Sequence, residues 1–310
     1  RSSHLPNIKM LKSKCELKSI VCKTGNSARS LGNQFGAEYV STDHSDVIND
    51  KDINAVLIST RHDLHGTLLL EALSKGKHVL VEKPTTINQI ELNKLKKFYE
   101  TKDIQKKSPK PILLTGYNRR FSPHFKIMRK LVKQSQSPFI LNYKMNAGYI
   151  PSEHWVHGPE GGGRNIGEAC HIYDFFIALA EEEIIGYSVQ SINPRNKHYS
   201  RNDNFVATLR FREGSVANLI YTSLGHSDYP KETAELYVDG KVAFLDDFKS
   251  LIVHGSKKDS LRLRKQNKGI FEELDCFIDC IKRNEWPIPL WQQIQVNEIS
   301  FAIEKMIYDF

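Results

Sequence analysis

Two short stretches carry the side chains best suited to moving a proton. The first is Glu82-Lys83-Pro84, which ends the apolar run beginning at His78. A lysine at the end of a buried strand, followed by a proline, has a fixed place from which its ammonium can hold a substrate hydroxyl or tune proton transfer. A structural ion pair with Glu82 is the competing reading. The second stretch is Gly161-Gly162-Gly163-Arg164-Asn165-Ile166-Gly167-Glu168-Ala169-Cys170-His171-Ile172-Tyr173-Asp174. Its three leading glycines would let a backbone approach a ligand closely, and on a helix His171 lies one turn from both Glu168 and Asp174. A histidine held by carboxylates is a natural general base near neutral pH, whereas a simple hydrogen-bonded histidine near a helix start is the plainer alternative. Glu168, His171 and Asp174 do not form a recognised zinc spacing, and no metal site is expected.

Positioning these groups requires two kinds of framework. In the first third, short apolar runs alternate with amphipathic segments: Leu17–Cys22 then Ala28–Phe35, Ala55–Ser59 then Leu64–Leu73, His78–Glu82 then Asn88–Tyr99, with Pro111–Thr115 closing the region. This alternation predicts a doubly wound parallel sheet. Asn26 or Ser27 is expected to cap the first of these helices and Thr85 or Thr86 the third, with Gly76 following the second. Ligands of such sheets sit beyond the strands' carboxyl ends, which directs attention to Lys23-Thr24-Gly25, Thr60-Arg61-His62, Glu82-Lys83-Pro84 and Gly116 to Arg120. From Phe139 onward the runs lengthen and alternate (Ile140–Ala147, Ser188–Asn193, Phe205–Phe211, Val216–Thr222, Ala234–Val238, Ala243–Leu245), with turn residues such as Asp239-Gly240 between neighbours. They predict an open, mostly antiparallel sheet, covered on one face by helices at His171–Leu179, Phe271–Lys282 and Gln292–Ile307. The domain division expected is 1–121 and 122–310.

Composition narrows the class. The chain has 310 residues, 40% hydrophobic and 26% charged, enough for two buried cores and without a long apolar span. Its net charge of +8 is scattered among acidic residues rather than gathered in a basic stripe with aromatics, so neither nucleic acid nor membrane is an expected partner. The densest basic runs, Lys102–Lys110 and Lys257–Lys268, read as solvated loops or hairpin flanks. Five cysteines without metal or redox spacing fit a reduced, cytoplasmic setting.

The run His78-Val79-Leu80-Val81-Glu82-Lys83-Pro84 and the glycine-rich stretch ending in His171 and Asp174 resemble the two signatures of the glucose-fructose oxidoreductase, inositol dehydrogenase and MocA family. More closely, Asn146 to Pro151, His154 to His157 and Gly167 to His171 resemble the C-terminal half of bacterial two-part proteins whose N-terminal half is similar to a zinc-type alcohol dehydrogenase. The resemblance implies a Rossmann domain, an α/β domain with an open antiparallel sheet, and a sugar, cyclitol or other polyol bound between them. It implies that Lys83 and His171 are catalytic, with Glu168 beside them. Lys23, Thr24, Thr60, His62, His65, Glu82, Lys83 and Arg120 would lie along NADP or NAD, and Tyr149, Trp155, Arg164, Asn165, His171 and Asp174 near the substrate.

Two departures stand out. Where the family usually has Asp four residues before the catalytic His, this chain has Gly167, and Glu168 could substitute only if the backbone turns it inward. The sequence also opens at what reads as the first Rossmann helix, His4–Leu11, without the apolar strand and Gly-x-Gly-x-x-Gly expected before it, so the expected domain is an N-terminally truncated Rossmann fold. Cys22-Lys23-Thr24 stands where an acidic residue usually meets the ribose of NAD, which favours NADP. A non-catalytic sugar-binding or scaffold module is the alternative to an oxidoreductase, and a homodimer through a free face of the antiparallel sheet is a plausible assembly.

Overall fold

The computed structural model describes residues 3–106, 110–196 and 198–309. The first region runs α1 (His4–Met10), β1 (Ser19–Val21), α2 (Gly25–Phe35), β2 (Tyr39–Ser41), α3 (His44–Asn49), β3 (Ala55–Ile58), α4 (His65–Ser74), β4 (His78–Val81), α5 (Gln89–Glu100), α6 (Lys102–Lys106) and β5 (Leu113–Thr115). The second runs α7 (Pro123–Lys133), β6 (Ile140–Asn146), α8 (Cys170–Ala180), β7 (Ile184–Ser191), β8 (Asn204–Phe211), β9 (Val216–Thr222), β10 (Glu232–Val238), β11 (Lys241–Asp246), β12 (Ser250–His254), β13 (Leu261–Arg262), α9 (Ile270–Arg283) and α10 (Leu290–Tyr308).

All strand pairs of the first region are parallel, as the alternation of strand and helix predicts, but they form two sheets: β1 with β2, and β3-β4-β5. Among the described residues no strand pairs with β1 on one side and β3 on the other. Val79, Leu80 and Val81 are fully buried because β4 is central and helices cover it on both faces. Helix starts are fixed by other residues than the spacing suggests. Thr24 caps α2, its Oγ1 accepting from the Ser27 N–H, and Asn88 caps α5 by accepting from the Glu91 N–H. Thr85 is instead buried, bonded to Thr115 and Asn297.

The second region is one eight-stranded sheet in the order β13-β12-β11-β10-β6-β9-β8-β7. It is mixed but mostly antiparallel, since only β6 and β9 run parallel. Its inner face packs on α8, which is buried along nearly its whole length, with α10 alongside. Phe175, Phe176, Tyr143, Phe205 and Tyr221 fill this core. Alternate residues on the outer face, including Ile140, Tyr187, Val206, Ile220, Tyr237 and Ile252, remain exposed. Strands β2, β12 and β13 and helix α7 lie outside the runs read from the sequence, although β12 is apolar and α7 buries Phe125, Met128 and Leu131 at helical spacing. Of the two basic runs, Lys102–Lys106 is helical, residues 107–109 lie outside the described residues, and Lys268 is turned inward rather than solvated. No helix among the described residues is long and apolar enough to cross a membrane.

Candidate active site at the junction of the two regions

The carboxyl ends of β3 and β4 meet the turn before α8. Lys83, leaving β4, donates from Nζ to the Gly167 carbonyl at 2.6 Å, so it is tied across to the second region rather than to its neighbour Glu82. Glu82 accepts from His4 at 2.5 Å, which holds the start of α1 against the end of β4. His65 is fully buried at the head of α4, with Nδ1 on the Pro84 carbonyl (2.7 Å) and Nε2 on that of Thr60 (3.2 Å). It braces these two loops to each other. Lys23 and Thr24 follow β1, with Thr24 engaged as the cap of α2.

His62 also reaches across to the second region. Its Nδ1 donates to the Gly161 carbonyl at 2.8 Å, which leaves Nε2 as an acceptor in the neutral ring. Burial lowers its pKa to about 4, despite the opposing pull of that carbonyl. The ring stands edge-on to Trp155, with centroids 4.9 Å apart, and Arg61 lies over the same indole. An ideal Cβ on Gly167 would be 2.8 Å from His62 Cε1, so the absence of a side chain at 167 makes room for the imidazole.

The glycine run lets segments of the chain approach one another closely. A Cβ at Gly161 would meet the Val156 backbone at 2.4 Å, while Gly162 and Gly163 adopt φ of +73° and +82° against Ile87 and Asn202. Residues Asn165–Ala169 then form one turn of π-helix leading into α8. Such turns rotate the following side chains relative to a regular helix.

Neither carboxylate expected to hold His171 is hydrogen-bonded to it. Asp174 forms a two-pronged pair with Arg120 (2.9 and 2.5 Å), and burial pushes its pKa up to about 6 against the pull of that arginine. Arg120 also bonds Gln292 at 2.7 Å. Glu168 accepts from Arg164 (2.8 Å), Tyr221 (2.6 Å) and Lys231 (2.9 Å). Burial would raise its pKa, but Lys231, Lys83 and Arg164 hold it well below the usual carboxylate range. His171 Nδ1 is buried without a hydrogen-bond partner among the described residues, beside the Tyr117 ring. Burial and the nearby Arg119, Lys83, Lys268 and Lys231 keep His171 neutral.

Two residues expected near the substrate also hold the fold together. Asn165 is fully buried and bonded to Ser300, Glu304 and Tyr173, and Arg164 is bonded to the Ala147 and Gly148 carbonyls as well as to Glu168. Their polar atoms are satisfied within the fold. Tyr149 is exposed and stacks on His198 at 4.1 Å. The network most easily overlooked in the sequence surrounds Glu232. This fully buried carboxylate accepts two bonds from Arg119 (2.6 and 2.8 Å), one from Lys268 (2.6 Å) and one from Tyr143 (2.7 Å). Its signal was a charged residue at the head of an apolar alternating strand.

Residues 1–106 match the Gfo/Idh/MocA oxidoreductase family with the description "NAD-binding Rossmann fold", and residues 140–281 match the same family's C-terminal alpha/beta domain. The chain belongs to this family. It is 23% identical to myo-inositol 2-dehydrogenase of Thermotoga maritima over 92% of this chain and 86% of that protein. It is 24% identical to scyllo-inositol 2-dehydrogenase (NAD(+)) of Bacillus subtilis over 84% of this chain and 77% of that one. A match to the Bacillus subtilis oxidoreductase YrbE, at 24% identity, spans 69% of this chain and 61% of the relative. In fold, this family member resembles levoglucosan dehydrogenase in complex with NADH and levoglucosan, with a TM-score of 0.79 at 19% identity over 98% of this chain and 93% of that one. An oxidoreductase domain protein from Kribbella flavida gives 0.82 at 17% identity over 99% and 93%.

Proposed function

We propose that residues 1–121 seat a nicotinamide dinucleotide, that residues 122–310 seat a sugar, cyclitol or nucleotide-sugar, and that the chain transfers a hydride between them at a hydroxyl-bearing or keto carbon. One observation carries this reading. The Lys83 ammonium, fixed at the end of β4, reaches the Gly167 carbonyl one turn ahead of His171, so the groups from the two regions converge on one place. Neutral His171 is suited to take the hydroxyl proton, and Lys83 to hold the same oxygen as charge develops on it. Glu168 positions Lys231 and Tyr221 at this centre rather than moving protons itself. His62 and Trp155 close the side nearest Thr60.

The strand ends leading to Thr60 and Lys83, with the start of α1 tied to Glu82, support seating of the nicotinamide end of the cofactor there. When bound, the nicotinamide supplies the hydride acceptor. The inositol dehydrogenase and levoglucosan dehydrogenase relatives named with NAD or NADH support NAD, whereas exposed Lys23 after β1 supports acceptance of a 2′-phosphate and thus NADP. The unpaired edges of β1 and β3 support a further parallel strand between them in a longer two-part polypeptide. The apolar residues on the outer face of the large sheet support a homodimer there.

Titrating NAD and NADP separately, followed by absorbance at the reduced-nicotinamide band with inositols and aldoses, tests the reading. Cofactor-dependent reduction is expected. Binding of neither dinucleotide by the folded protein, alone or extended upstream, would overturn it.

A further inference from the structure

Around His171, positive charge exceeds what its carboxylates balance. Arg164 and Lys231 share Glu168, and Arg119 and Lys268 share Glu232. Lys83 is bonded to a carbonyl. Five cations thus face two carboxylates. Of the other acidic groups nearby, Glu82 pairs with His4 and Asp174 with Arg120, Asp203 lies 3.9 Å from His157, Asp247 lies 4.0 Å from Lys268 and 3.5 Å from Lys249, and burial pushes Glu273 toward its neutral form. A cavity of about 680 Å³ opens beside Lys231, between Asn146–Tyr149 and Gly225–Pro230. Asp228, Asp246 and Asp247 also line it, Asp228 being turned to His226 at 3.4 Å. Lys231 is the half-exposed member of the cationic group and the one that joins this cavity to Glu168.

The arrangement opposes its own chemistry as it stands. A base that must take up a proton is disfavoured by four cations acting on it through a poorly hydrated interior. An anion arriving with the substrate would offset that field and be attracted by it.

We infer that the substrate carries an anionic oxygen group, a carboxylate or a phosphate, that seats in this cavity against Lys231, the residue whose ammonium also pairs with Glu168. This names the substrate class of the proposed hydride transfer and rests on that reading. An acidic sugar is thereby separated from the neutral polyols of the same size. Lys231 selects the substrate, and its neighbour Glu168 sets the position of the ammonium.

The test is a panel of aldohexoses, their uronates and their 6-phosphates, with calorimetric binding in the presence of NAD or NADP and turnover from reduced-nicotinamide absorbance. At least one anionic member is expected to bind about tenfold or more tightly than its neutral parent, an advantage that shrinks as sodium chloride rises. Lys231→Gln is expected to remove that advantage and Lys231→Arg to keep it. A uronate preferred over a phosphate identifies the anion as carboxylate, and the reverse order identifies phosphate. Failure of every anionic member to outbind its neutral parent overturns the inference, as does an equal loss for neutral and anionic sugars in Lys231→Gln. Anion binding without hydride transfer sustains the inference and removes the reaction. Turnover of neutral sugars alone sustains the reaction and removes the inference.

Discussion

The ring of His62 occupies the space that a side chain at Gly167 would need, with its Cε1 2.8 Å and its Nδ1 3.1 Å from an ideal Cβ there. The two positions are therefore coupled although they are distant in sequence. Gly167→Ala should destabilise the protein by about 1–3 kcal/mol through overpacking, because the imidazole is pinned by the Gly161 carbonyl and Trp155 and cannot simply swing away. In a His62→Ala background the same change should cost less, giving a coupling of about 1 kcal/mol or more in a double-mutant cycle measured by urea unfolding. Additive losses would mean that the ring moves freely.

Lys83→Met and His171→Asn should each lower turnover by about 10²-fold or more, since both groups are placed to act on the reacting oxygen. The comparison is made on the best substrate of the sugar panel, with circular dichroism confirming a folded chain. Retained turnover in either variant would remove that residue from the proposed chemistry.

Glu232 lies wholly buried between Arg119 and Lys268. Glu232→Gln leaves the buried Arg119 charge uncompensated and should cost about 3–5 kcal/mol in unfolding free energy. Replacing both partners, as Arg119→Met with Glu232→Leu, should be milder than the sum of the single changes. A loss under about 1 kcal/mol in the single variant would show that Arg119 is solvated in some other way.

Acid should weaken the fold in two stages. His62 has a folded pKa of about 4 against an ordinary value of 6.5, so the unfolded chain takes up the proton first. Its contribution, about 3 kcal/mol by linkage, is complete above pH 6.5 and is lost as the pH falls toward 4. Glu232 is raised by burial but brought down to about 2 by Arg119 and Lys268, so its contribution is complete above pH 4.5 and is lost as the pH falls toward 2. Urea unfolding measured from pH 8 to 4 should show the first stage, to which buried His65, His124 and His171 also contribute, and His62→Gln should make it shallower. An unchanged slope in that variant would place the effect on other histidines.

Lys23→Asp should shift cofactor preference toward NAD by about tenfold or more, since a carboxylate at the end of β1 can accept from ribose hydroxyls and repels a 2′-phosphate. Paired KM measurements for NAD and NADP read this directly. An unaltered ratio would place the adenosine ribose away from residue 23.

The sequence by itself determined the parallel and mostly antiparallel regions and the positions of Lys83 and His171, because these rest on local periodicity and on short motifs. Apolar runs such as His78–Val81 and Phe205–Phe211 declare their burial within a few residues. What only the tertiary structure decided is which polar groups meet. Helical spacing placed Glu168 and Asp174 beside His171, yet competing guanidinium and ammonium groups engage those carboxylates elsewhere. The pairings of His62 with Gly161, Lys83 with Gly167 and Arg119 with Glu232 join residues 99, 84 and 113 positions apart. No local pattern encodes such partners, because a buried charge takes whichever opposite group the packed chain brings within reach.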